Sequence, residues 1–201
     1  MTVSAEIEKH QQALRQCRCC PQMVPPPIVG LPVASKIILV GQAPGEREEE
    51  LGKPFAWTAG KTLFKWLASI GLEEEAVRRK VYIAAVCRCF PGKKPKGGDR
   101  VPDKDEIERC RSWLQAEFDI LQPALIIPVG KLAIAQFVEV DKLIDVVGKS
   151  FSREIDGRVA DVIPLPHPSG ASTWHGRPPG QELLQQALKR IKQHPQWRQL
   201  L

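Results

Sequence analysis

The chain lacks the features that assign a sequence at once to several large classes of protein. No apolar run approaches the roughly 20 residues that cross a bilayer. Residues 1–16 read as a polar helix carrying Glu6, Glu8 and Lys9, not as an apolar leader, so a cytoplasmic protein with no membrane partner is expected. No segment repeats, which excludes a solenoid or propeller. Charge of neither sign dominates: 29 Lys and Arg against 23 Asp and Glu leave a net +6, which permits a polyanionic partner without demanding one. A complete phosphate-binding loop is also absent. Gly60-Lys61-Thr62 ends like one, but the earlier glycine that motif requires falls on Phe55, and no strand leads directly into it. Nucleotide hydrolysis is therefore set aside.

What the chain does contain is an alternation of short apolar runs with helical periodicities. Its 201 residues, 43% of them hydrophobic, suit one soluble domain, residues 1–201, with a single substantial core, and a monomer is expected. A polar helix over about residues 5–15 leads to a cysteine pair, and Pro25-Pro26-Pro27 makes an extended connector. Strands are expected at 36–41, 81–86, 124–130 and 160–165. Helices are expected at 61–70, 103–121, 131–138 and 181–193, the second opening on a capping box of Asp103 and Glu106. Residues 42–59 should form a long loop, and 90–101, rich in Gly, Pro and Lys, an exposed one. This alternation defines an α/β fold: a three-layer α/β/α sandwich with a central four-stranded, mostly parallel sheet.

Six cysteines stand out in a chain expected to stay reduced. Cys17-x-x-Cys20, with Cys89 and Cys110 far downstream, supplies four thiolates that can converge on one centre. Sulfur-only ligation suits zinc or an iron–sulfur cluster, and spacing does not separate the two. Such a centre would clamp the N-terminal segment to the middle of the fold. Cys19 and Cys87 are left over.

Three loops leave the carboxyl ends of expected strands: Gly41-Gln42-Ala43-Pro44-Gly45, the segment after Val86, and Leu165-Pro166-His167-Pro168-Ser169-Gly170. Ligands of open parallel sheets bind outside those strand ends. Each loop alone is compatible with a tight turn; their joint placement makes a candidate active site.

At these residues the chain resembles the uracil-DNA glycosylase superfamily. The resemblance rests on Gly41-Gln-Ala-Pro-Gly-Glu46, Gly52-Lys-Pro-Phe55, Ala59-Gly60, residues 81–89, and His167-Pro168-Ser169-Gly170. The cysteine order is similar to that of the iron–sulfur branches, families four and five. It implies a four-iron four-sulfur cluster on Cys17, Cys20, Cys89 and Cys110, with zinc as the alternative. It also implies a partner, DNA containing a deaminated base, whose N-glycosidic bond is hydrolysed to leave an abasic site. Phe55 would stack on the extruded base, with Gly41, Ala43, Ala85 and Ser169 lining its pocket. His167 and backbone N–H groups of the Gln42 loop would face the base oxygen. Gln42 or Glu46 would orient the attacking water. Each has a plain competing reading: Phe55 as a core residue, and Glu46 as a solvated charge in the run Glu46-Arg-Glu-Glu-Glu50.

Two positions depart from the pattern. Ala85 stands where the uracil-specific branch has an Asn that hydrogen-bonds the base edge, which weakens discrimination and leans toward family five. Ala56, Trp57 and Thr58 stand where that family has an Asp, so the water-orienting group is left unidentified. The interval between Cys89 and Cys110 carries surplus residues, a Lys93, Lys94, Lys96, Gly97, Gly98, Arg100 loop. With Arg88 it is either a phosphate-contacting surface or a solvated loop. Trp174, with Arg177 nearby, is either a wedge into the minor groove or a cap on the core. The resulting expectation is a DNA base-excision glycosylase. The missing Asn and Asp motivate an alternative, a nucleic-acid-binding iron–sulfur module of the same scaffold that has lost hydrolysis.

Overall fold

A computed structural model describes residues 2–155, 157–170 and 172–201. Its centre is a five-stranded sheet of β1 (Ile37–Gly41), β2 (Tyr82–Ala85), β3 (Leu125–Pro128), β4 (Phe151–Ile155) and β5 (Arg158–Val162). The order is β2-β1-β3-β5-β4, with β4 alone antiparallel to its neighbour. Every residue of β1, β2 and β3 is buried. Side chains alternate between faces along a strand, so full burial requires helices on both sides of the sheet.

Around the sheet run α1 (Val3–Arg15), α2 (Glu46–Leu51), α3 (Thr58–Ala68), α4 (Glu74–Lys80), α5 (Lys104–Leu121), α6 (Lys131–Ile134), α7 (Leu143–Val146), α8 (Gly180–Gln193) and α9 (Pro195–Arg198). Helix α1 packs on α5, and α3 packs on α4. The capping box is formed: the Asp103 carboxylate accepts from the Glu106 N–H at 2.9 Å, and Glu106 accepts from the Asp103 N–H at 2.9 Å. Trp197, fully buried in α9, donates its indole N–H to the Ile70 carbonyl and seals the end of α3.

The α/β sandwich is as expected, with one strand more than the four anticipated. The extra strand is β4, an edge strand in which only Phe151 and Ile155 are partly buried against the core. The exposed Arg153 between them breaks the apolar alternation on that face, so periodicity does not reveal the strand. Residues 163–165 continue from β5 toward the His167 loop, and Leu165 bridges to Val129 beside β3. A short helix, α2, replaces part of the expected 42–59 loop, with Glu46, Glu48 and Glu49 in its first turn and left-handed Gly52 at its end, and α4, acidic at its start and basic at its end, occupies a stretch to which no element was assigned. Among the described residues no helix is long and apolar enough to cross a membrane.

Candidate active site

Strand β1 ends at Gly41, and the missing side chain there has a specific use. A Cβ at residue 41 would lie 2.7 Å from the Phe55 Cζ, so only glycine lets that ring lie across the strand end. Phe55 itself sits at φ 54°, a left-handed conformation that bulky residues rarely adopt. Three groups hold it there. Arg78 donates to the carbonyls of Pro54 (2.9 Å) and Phe55 (3.0 Å). Gly60 leaves room for the Phe55 carbonyl oxygen, which any Cβ at that position would overlap. The buried Glu48 carboxylate accepts the backbone N–H groups of Phe55 and Ala56. Burial pushes Glu48 up to about 7, against the pull of those donors and of Arg78. A turn fixed from three sides presents one aromatic face, and backbone strain of this kind concentrates at functional sites.

His167 approaches from the other side. Its Nδ1 accepts the Ser169 N–H at 3.2 Å, which leaves the proton on Nε2 as a free donor. The ring lies on Gly130, where a Cβ would come within 2.9 Å of Cδ2. Burial, then the nearby His175, holds the imidazole below its ordinary range, against a weaker opposing pull from Asp99. A neutral imidazole that donates from Nε2 can stabilise an oxygen as it gains charge.

These groups meet. Gln42, Phe55, Thr58, Asp99, His167 and Ser169 line one cavity of about 720 Å³ outside the carboxyl ends of β1 and β3. Ala43, Glu46 and Lys94 line it too. Gly41 lies beneath Phe55, and Ala85 pairs with it across β1 and β2. Ala85 is buried and offers the cavity no side-chain amide. Glu46 is half exposed and ion-paired with Lys93 at 2.6 Å. Trp57 stays 48% exposed at the rim, between Arg47 and Lys61, and does not plug the space.

Other expected contacts fall elsewhere. Arg88 is not a surface cation: it is fully buried and paired with Glu117, which also accepts from the Tyr82 hydroxyl at 2.7 Å. The Cys-Arg-Cys context gave no sign of a distant carboxylate partner. Trp174 is half-buried against the first turn of α8, where Gly180 leaves room for it, and belongs to the margin of the core. Arg177 is exposed. The segment 90–101 is exposed over 93–99, as expected, but it is not irregular throughout. Phe90 and Pro91 are buried, and 93–99 folds as a hairpin in which Lys93 pairs with Asp99 and the Lys94 N–H donates to Gly98 O. Sequence reasoning passed over Asp99, Glu48 and Arg78. The Gly97-Gly98-Asp99 turn signal could have marked the hairpin, since both glycines adopt positive φ.

The four candidate ligand cysteines, all free thiols, also converge. Cys17, Cys20, Cys89 and Cys110 line a second cavity, of about 210 Å³, between the end of α1, the loop after β2 and α5. Cys19 is exposed, whereas Cys87 is fully buried and hydrogen-bonded to Cys110. Burial, then the neighbouring Cys110, pushes Cys20 up to about 11. Among the described residues no three His, Cys, Asp or Glu side chains are disposed to hold a single metal ion. The thiols lie close to one another along the cavity, with Cys20 against Cys110, and form an all-sulfur donor set of the kind that soft metal centres take.

An aromatic ring and a histidine Nε2 donor thus line one cavity at the carboxyl ends of the strands of an α/β sheet, the edge at which such sheets bind ligands. Residues 28–192 match the family model described as the uracil DNA glycosylase superfamily, so the chain belongs to that superfamily. It is 36% identical over 141 residues to a type-4 uracil-DNA glycosylase of Archaeoglobus fulgidus, covering 67% of this chain and 66% of that protein. A type-4 uracil-DNA glycosylase of Sulfurisphaera tokodaii is 30% identical over 197 residues, covering 93% and 84%. The crystal structure of Pedobacter heparinus SMUG2 superposes with a TM-score of 0.50 over 96% of this chain and 98% of that one, at 13% identity, a likeness of fold alone. The two glycosylases of Archaeoglobus fulgidus and Sulfurisphaera tokodaii carry the type-4 name. The lean toward family five, drawn from Ala85, is not what similarity along the chain favours.

Proposed function

We propose that this protein is a DNA glycosylase that hydrolyses the N-glycosidic bond of uracil, or of another deaminated base, and leaves an abasic site. The observation that carries the reading is the meeting of Phe55, the Gln42 loop and His167 around one cavity. A base flipped out of the helix enters that cavity and lies on the Phe55 ring. As the bond to the sugar lengthens, negative charge grows on the base oxygen. The Nε2–H of His167 and backbone N–H groups of the 42–45 loop stabilise it in a site with limited water. Ser169 holds the imidazole in the tautomer this requires. Ala85 brings no amide to the base edge, so acceptance of bases beyond uracil follows. Lys94 and the 93–99 hairpin supply positive charge for backbone phosphates, which makes binding salt-dependent.

Cys17, Cys20, Cys89 and Cys110 hold a four-iron four-sulfur cluster that binds the end of α1 to α5 and has a structural role. The protein acts as a monomer in a reducing compartment such as the cytoplasm. The test is single-turnover release of base from oligonucleotides containing uracil, hypoxanthine or xanthine, using brown, cluster-loaded protein. Release from at least one is expected, and its loss in His167→Ala. Salt-sensitive DNA binding with no product from any of them would instead support the binding module that Ala85 and Ala56 suggest.

A further inference from the structure

Three carboxylates line the cavity, and two are already engaged. Glu48 accepts backbone N–H groups that hold the Phe55 turn, and Glu46 is paired with Lys93. The third, Asp99, comes from the hairpin between Cys89 and Cys110. Its carboxylate forms no hydrogen bond or ion pair within the described residues. Its Oδ2 faces the 42–45 loop, 3.4 Å from where a Cβ on Gly45 would sit. Across the cavity it is close enough to His167 for each to influence the other's ionisation.

The hairpin that carries Asp99 is pinned on both sides. Arg100, the next residue, makes a bidentate pair with Glu106 at 2.6 and 2.7 Å and donates to the Pro91 carbonyl at 2.8 Å. Glu106 is itself fixed by the α5 capping box. On the other strand Lys93 reaches Glu46 of α2. Two ion pairs therefore flank the turn that brings an unshared carboxylate to the cavity wall.

We propose that Asp99 is the catalytic carboxylate that orients the attacking water and takes its proton. This rests on the glycosylase reading. The C1′–N bond breaks and its electron pair leaves with the base, stabilised by His167. The water oxygen bonds to C1′, its proton passes to Asp99, and that proton then neutralises the departed base or enters solvent, so atoms and charge balance. The charges facing Asp99 are Lys93 and Glu46, paired to one another, and His167; Arg47, Lys94 and Arg100 also line the cavity.

The experiment compares wild type, Asp99→Asn and Asp99→Glu in single-turnover release of uracil across a pH series. Affinity is measured in parallel with a 2′-fluorinated deoxyuridine oligonucleotide that resists hydrolysis. A general base contributes about 10²–10⁴-fold. Asp99→Asn should lose that much rate while its affinity changes less than about threefold, and Asp99→Glu should recover part of it. The rise of the wild-type rate with pH on the acid side should vanish in Asp99→Asn, a change that a merely structural residue would not produce. An active wild type with Asp99→Asn of similar rate and pH profile overturns this assignment and leaves the glycosylase reading standing. A wild type that releases no base overturns both.

Discussion

Substituting Gly41 by alanine would test the geometry on which the site depends. The added Cβ would stand 2.7 Å from Phe55 Cζ and 3.0 Å from Cε2. Carbon atoms rest at about 3.5–4.0 Å, so the ring must retreat by roughly 1 Å. The backbone of Phe55 cannot follow, because Arg78, Gly60 and Glu48 fix it. The ring must turn off its rotamer, at about 0.5–1.5 kcal/mol. A shift of that size in a positioning group costs about 10²-fold in rate, or about 2.7 kcal/mol of transition-state stabilisation. Gly41→Ala should thus melt within a few degrees of the wild type yet release uracil about a hundredfold more slowly in single turnover. Full activity would refute the claim that the ring's position is critical. Global unfolding would refute the claim that the strain is local.

Further outcomes follow from the interior. Removing the Glu117 carboxylate by Glu117→Ala leaves Arg88 charged and buried without its partner, and should destabilise the protein by about 3–5 kcal/mol in urea titrations. Glu48 is pushed up to about 7 from an ordinary 4.5, so the folded protein holds that proton more tightly than the unfolded chain. Its contribution is then fully present below about pH 4.5 and is lost as pH rises through about 7, and Glu48→Gln should remove this part of the pH dependence in urea melts. Cys110→Ser should abolish the brown colour and broad visible absorption of the purified protein. It should also expose the end of α1 to limited proteolysis, whereas Cys19→Ser should leave the colour intact.

How far the sequence could be read differs by element, and the differences have physical causes. Residues 36–41 and 124–130 announced themselves because strands buried on both faces must be continuously apolar. The helix from Lys104 was equally plain, since Asp103 and Glu106 satisfy its first N–H groups with neighbours in the chain. Strand β4 was not legible, because only Phe151 and Ile155 reach the core, with exposed Arg153 between them, and the rest of its place comes from pairing with β5. Arg88 looked like a surface cation for the same kind of reason. Its partner Glu117 lies on α5, and nothing local to either residue predicts the other.

Residue types and short spacings alone determined the α/β class, the strand-end loops and the cysteine quartet, because hydrophobic period, turn chemistry and sulfur ligation are local properties. Only the tertiary structure decided that Phe55 is locked in a left-handed turn under Glu48 and Arg78. It alone turned a lysine-rich loop into a pinned hairpin that brings Asp99 to the cavity wall. Those outcomes depend on ion pairs and close approaches between segments far apart in the chain, and such pairings are settled by packing.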